Sequence, residues 1–148
     1  MKNQVDKKTQ IKEIPGEEQP KNNMATKRIF IAFAIEDEKY RIFLSAQAKN
    51  NKSPFEFVDM SAKEAWDEKW KTNCRTRVKG CDGVIALISK NTRHAEGQLW
   101  EIQCAYEEGI PVMLMWINDE RPALPALISG KRINIWSWAN LETFIGNL

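Results

Sequence analysis

The sequence predicts a three-layer α/β domain, with a short, mostly parallel five-stranded sheet between layers of helix. Two observations carry that prediction. The runs Arg28–Ala34 (RIFIAFA) and Val84–Ser89 (VIALIS) are apolar without alternation, as strands covered on both faces must be. The segments that follow them repeat apolar residues at helical spacing, so strand and helix take turns along the chain.

The first strand is Arg28–Ala34. Glu36, Asp37 and Glu38 then suit a helix N-terminus, and Tyr40, Phe43, Leu44 and Gln47 mark one face of a first helix running to Lys49. Asn50–Pro54 is turn chemistry, and Phe55–Asp59 (FEFVD) alternates and stops, giving a second strand that ends in a carboxylate. Trp66, Trp70, Cys74 and Val78 stand four apart and place a second helix over residues 66–78. They are read as core, whereas Lys69, Arg75 and Lys79 form the opposite face, a solvated surface that could alternatively meet a phosphate or an acidic partner.

Gly80–Gly83 (GCDG) ends that helix, and Val84–Ser89 is the third and central strand. A loop over residues 90–97 leads to a third helix, Gln98–Glu108, closed by Gly109 and followed by a fourth strand, Ile110–Ile117. Residues 118–130 hold Pro122 and Pro125 and read as loop, Arg132–Trp136 as an edge strand, and Ala139–Ile145 as a closing helix. Short right-handed crossovers between such elements give a flavodoxin-like, doubly wound sheet. These sheets bind ligands outside the carboxyl ends of their strands.

Residues 1–26 contain no aromatic side chain and mix charges with prolines, so they are expected to form a mobile tail before a domain at 27–148. Met24 is an alternative start. Lysine and arginine number 22 against 20 acidic residues, so no basic field favours nucleic acid. Cys74, Cys81 and Cys104 lack paired metal-ligand spacing, which points to a reduced, cytoplasmic setting without structural zinc. No apolar run approaches the roughly 20 residues that span a bilayer, and no apolar signal core follows the N-terminal lysines.

The carboxyl-end rule selects the loops after Ala34, Asp59 and Ser89, with Asp59, Glu64, Asp67, Glu96 and Glu101 as the acids within reach. Neither a Gly-x-Gly-x-x-Gly fingerprint nor a phosphate loop is present. His94, the single histidine, sits in a polar loop and reads as exposed. Glu101 stands out because its neighbours in Leu99–Ala105 (LWEIQCA) are largely apolar, a setting in which a carboxylate's position and pKa are tuned. The bland alternative is a solvated helix glutamate.

Phe30–Phe33 (FIAF) followed by acids, Gly80–Ser89 (GCDGVIALIS), Trp100–Ile102 with Ala105, and Gly109–Val112 (GIPV) together resemble a TIR-like domain across residues 28–148. Phe57–Ser61 (FVDMS), Trp66–Trp70 (WDEKW) and Cys74–Gly83 (CRTRVKGCDG) are similar to the TIR-like subgroup of Thoeris antiphage defence. The resemblance implies that Glu101 supports cleavage of the nicotinamide glycosidic bond of NAD, which is a substrate rather than a cofactor. It places Phe33 and Ala34 beside the nicotinamide or ribose, with Asp59 and Ser61 on the neighbouring loop, and it implies no metal. It further implies a cyclic ADP-ribose isomer as product, a separate effector protein that responds to it, and a phage-derived activating signal.

The chain departs from the family in two places. Many TIR domains carry a tryptophan four residues before the glutamate, where this chain has Gly97, and Trp100 adjoins the acid instead. The stretch from Ser61 to Trp66 lacks the arginine, aspartate, proline and glycine pattern of the loop through which TIR domains self-assemble. The competing function is a non-catalytic docking module, as in adaptor TIR domains. A Glu101 that points into open solvent would fit the adaptor, and one that faces a cleft beside Phe33 and Asp59 would fit the enzyme. A phospho-receiver is disfavoured because Glu36 and Asp37 only loosely imitate its paired aspartates.

Overall fold

A computed structural model describes residues 26–51, 55–57 and 68–148. The N-terminal tail, Trp66, and the end of the second strand with Asp59 and Ser61 lie outside the described residues. The strands are β1 (Lys27–Ala32), β2 (Phe55–Phe57), β3 (Gly83–Ile88), β4 (Val112–Trp116) and β5 (Ile133–Asn134). They alternate with helices α1 (Glu38–Asn50), α2 (Glu68–Lys79), α3 (Glu96–Glu107) and α4 (Trp138–Gly146).

The five strands form one sheet in the order β2-β1-β3-β4-β5, and every described pairing is parallel. Ile29 opposite Gly83 and Val84 opposite Val112 fix the central register. All six residues of β3 are buried, so both faces of the sheet are covered there, and the unalternating apolar run is explained. The strand order reverses between β1 and β3. Right-handed crossovers leaving these two strands in opposite directions put α1 and α3 on opposite faces, and the chain parts at their carboxyl ends.

α1 buries Leu44 and Ala48, whereas Phe43 is 59% exposed, contrary to the expected apolar face. Phe43 lies at the margin of that stripe and packs edge-on against Tyr40, with ring centroids 6.0 Å apart. α2 buries Trp70, Cys74 and Val78 as the four-residue spacing predicts. Its Arg75, assigned to a solvated face, instead meets α3: the guanidinium donates to Glu107 at 2.7 Å and Glu108 at 2.8 Å and lies over the Trp100 ring at 5.1 Å. Trp100 Nε1 donates to the Lys71 carbonyl at 3.2 Å, which fixes this indole in the α2–α3 seam.

α3 begins two residues earlier than its apolar spacing suggested, after a 3-10 turn over Thr92–His94. It ends in a Schellman motif: the Ile110 N–H donates to Ala105 O at 2.9 Å and the Gly109 N–H to Tyr106 O at 3.3 Å, with Gly109 at φ 71°. α4 is capped by Ser137, whose hydroxyl accepts from the Asn140 N–H at 3.0 Å. The C-terminus packs on the amino end of β3, where a Cβ on Gly83 would lie 2.9 Å from Leu148 Cδ1.

Candidate functional site

The β1–β3 ladder ends at Ala32 opposite Ala86, and beyond it the two strands turn to helices on different faces. Diverging strands leave carbonyls without ladder partners. Gln98, on the first turns of α3, closes that gap: its Nε2 donates to Ala32 O at 3.0 Å and to Leu87 O at 2.7 Å. Both neighbours are acceptors, so the amide can only face them with its nitrogen, and Oε1 points away. Gln98 is 1% exposed, and its Oε1 has no hydrogen-bond partner among the described residues.

Glu101 follows three residues later and is also 1% exposed. Gln98, Glu101, Ile102 and Ala105 recur at the spacing of one helix face, and all four are buried. The stripe that α3 lays on the sheet is therefore apolar at its far end and polar at the carboxyl edge. Glu101 does not point into open solvent, and it stands about 4.5 Å further along the helix axis than Gln98. A carboxylate withdrawn from water interacts with a nearby developing charge far more strongly than an exposed one.

Phe33 and Ala34 directly follow β1 and are buried, with 2% and 1% exposure. Arg41 of α1 reaches the same strand end, its guanidinium 5.8 Å from the Phe33 ring centroid, and its Nε is buried without a hydrogen-bond partner among the described residues. The loop after β3 is held by Asp37, which is 3% exposed. Asp37 accepts from Ser89 Oγ at 2.5 Å and from Asn91 Nδ2 at 2.9 Å. Ser89 Oγ in turn accepts from the Asn91 N–H at 2.9 Å, and Thr92 Oγ1 accepts from the Ser89 N–H at 3.0 Å. Two strand-end loops are thus stitched together across the switch point.

Phe33 and Ala34 follow the carboxyl end of β1 and are buried, Glu101 is buried on α3 three residues after Gln98, and Asp59 and Ser61 lie outside the described residues. Gln98, Arg41 and Asp37 were not singled out as site residues from sequence. The available signal was the placing of Gln98 three residues before Glu101 on one face. Trp100, next to Glu101 in sequence, serves the α2–α3 seam. His94 is exposed. Burial raises the Cys81 and Cys104 thiols to about 11, so both are protonated at neutral pH. Among the described residues no cluster of three or more histidine, cysteine or acidic residues can hold a metal ion. No helix among them is long and apolar enough to cross a membrane.

A family model for the TIR-like domain of Thoeris protein ThsB matches residues 30–122, from within β1 to beyond β4. The chain belongs to that family. The matched span holds every described residue of the switch point. Solved structures agree on the fold. The TIR domain of the Toll-related receptor TRR-2 from Hydra magnipapillata is 13% identical with a TM-score of 0.57, covering 80% of this chain and 92% of that one. A 2-deoxyribosyltransferase from Bacillus psychrosaccharolyticus is 21% identical with a TM-score of 0.54, covering 78% of this chain and 90% of that one. A prokaryotic SEFIR domain is 13% identical with a TM-score of 0.50, covering 82% of this chain and 88% of that one. No curated protein matches.

Proposed function

We propose that this chain cleaves the bond between nicotinamide and ribose in NAD and converts the remainder to a cyclic ADP-ribose isomer, a signal read by a separate effector in antiphage defence. The observation that carries the reading is the buried Glu101 at the polar end of the α3 stripe, within the span matched by the ThsB TIR-like family. In the step itself the ribosyl C1′–N bond breaks and its electron pair leaves with nicotinamide, whose ring nitrogen becomes neutral. Positive charge builds on the ribose. A fixed carboxylate beside the sugar stabilises that state more than the ground state. Phe33 and Ala34 would wall the nicotinamide or ribose, with Asp59 and Ser61 contacting the ligand from the second loop. Capture of C1′ by another atom of the same nucleotide completes the cycle and needs no metal.

A protein-docking role draws on a different surface. Ile42 and Phe43 of α1 are 52% and 59% exposed, and Tyr40, Phe43, Gln47 and Trp136 border a depression of about 460 Å³ away from Glu101. The test follows nicotinamide release from NAD by chromatography, for wild type and Glu101→Gln, with and without lysate from phage-infected cells, and weighs the nucleotide product. Infection-dependent release that falls at least about 100-fold in the variant is the expected result. Absence of release from folded wild type under both conditions would favour docking.

A further inference from the structure

The described residues contain two buried side-chain polar atoms without hydrogen-bond partners, Gln98 Oε1 and Arg41 Nε. Both side chains contact the end of β1: Gln98 binds Ala32 O and Arg41 lies over Phe33. An orphaned buried carbonyl oxygen costs about 1–3 kcal/mol, so its persistence at a strand switch point asks for a function. Nothing in the family match or the solved relatives assigns one to this glutamine.

We propose that Gln98 is a ligand-reading residue whose Oε1 accepts a hydrogen bond from a sugar hydroxyl of a bound nucleotide. Three arguments lead there. Oε1 can only accept, so its ligand group must be a donor, which excludes a phosphate oxygen. The two strand carbonyls hold Nε2 and thereby fix the direction of Oε1 before any ligand arrives, so little ordering entropy is lost on binding. Arg41 supplies the complementary group at the same strand end, a cation whose Nη2 pairs with Glu38 at 3.7 Å and whose buried Nε–H has no partner among the described residues and suits a phosphate oxygen. A donor and an anion in one ligand describe a sugar phosphate. The choice of a ribose hydroxyl over another donor rests on the proposed role of Glu101, one helical turn away on the same face.

The test is calorimetric titration of the full chain with ADP-ribose, which has no nicotinamide to lose, and with analogues that lack the 2′ or the 3′ hydroxyl of the terminal ribose. Gln98→Met should weaken ADP-ribose binding about tenfold and leave the affinity for one of the deoxy analogues within about twofold of wild type. Equal weakening for all three ligands, no weakening, or no binding of ADP-ribose to folded wild type would each overturn the proposal. Should Gln98→Met not fold, the side-chain amide resonances of Gln98 in wild type decide. They shift on adding ADP-ribose and markedly less with one deoxy analogue, whereas equal shifts or none reject the idea. ADP-ribose binding through Gln98 without nicotinamide release would overturn the enzyme reading and leave this one standing.

Discussion

Asp37 holds the loop after β3 through two hydrogen bonds, and each joins residues more than 50 positions apart in sequence. Replacing it with alanine leaves Ser89 Oγ and Asn91 Nδ2 without that acceptor in a site that is largely closed to water. Asp37→Ala should therefore destabilise the domain by about 1–3 kcal/mol, since hydrogen bonds to a charged acceptor are the stronger kind. Thermal unfolding should show a Tm lower by several degrees, and an unchanged Tm would deny the loop tie. At this scale the sequence was partly legible. Phe33 and Ala34 were readable as the end of a strand because they close an apolar run, and Glu101 was conspicuous as a carboxylate among apolar neighbours; all three are buried, and their roles rest on the family resemblance. Gln98 escaped notice because its two partners, Ala32 and Leu87, lie 66 and 11 residues away, on strands whose adjacency no local pattern reveals.

Helix α3 shows what an element can and cannot announce. Its end was readable from Gly109, which takes φ 71° in a Schellman motif and would set a Cβ into open space. With nothing to clash, Gly109→Ala loses only backbone energy, and the expected destabilisation is about 1–2 kcal/mol. Denaturant unfolding with an unchanged m-value measures it, and Gly109→Asn should cost less. The start of α3 was misjudged because Glu96 and Gly97 are not part of the apolar pattern that spacing detects. Strand β3 was legible for the opposite reason, since a residue run buried on both faces leaves no polar letter inside it. Arg75 was misread as solvated because charge spacing on α2 says nothing of Glu107 and Glu108 on the neighbouring helix.

For the whole molecule, the strand order sets a switch point between β1 and β3, the position at which sheets of this kind hold ligands. The α2–α3 seam holds α3, the helix that carries Gln98 and Glu101. Its Glu107 carboxyl is held below the usual value of 4.5, first by the hydrogen bond from Gln103 and then by Arg75. A depressed folded pKa means that the ionised carboxylate adds stability above about 4.5, and that this contribution disappears as the pH falls through the folded value. Wild type should thus lose more Tm than Arg75→Met on going from about pH 5 to about pH 3, whereas parallel losses would show the seam to be electrostatically idle.

The measurement that tests the central claim most directly is an NMR map of backbone amide shifts as NAD is added to Glu101→Gln, which binds without turnover if Glu101 is the catalytic carboxylate. The account predicts that shifts concentrate at Phe33, Ala34, Ser89, Asn91 and Gln98, around the carboxyl ends of β1 and β3. Shifts concentrated instead at Tyr40, Phe43, Gln47 and Trp136, or no saturable shifts in a folded protein, would contradict it.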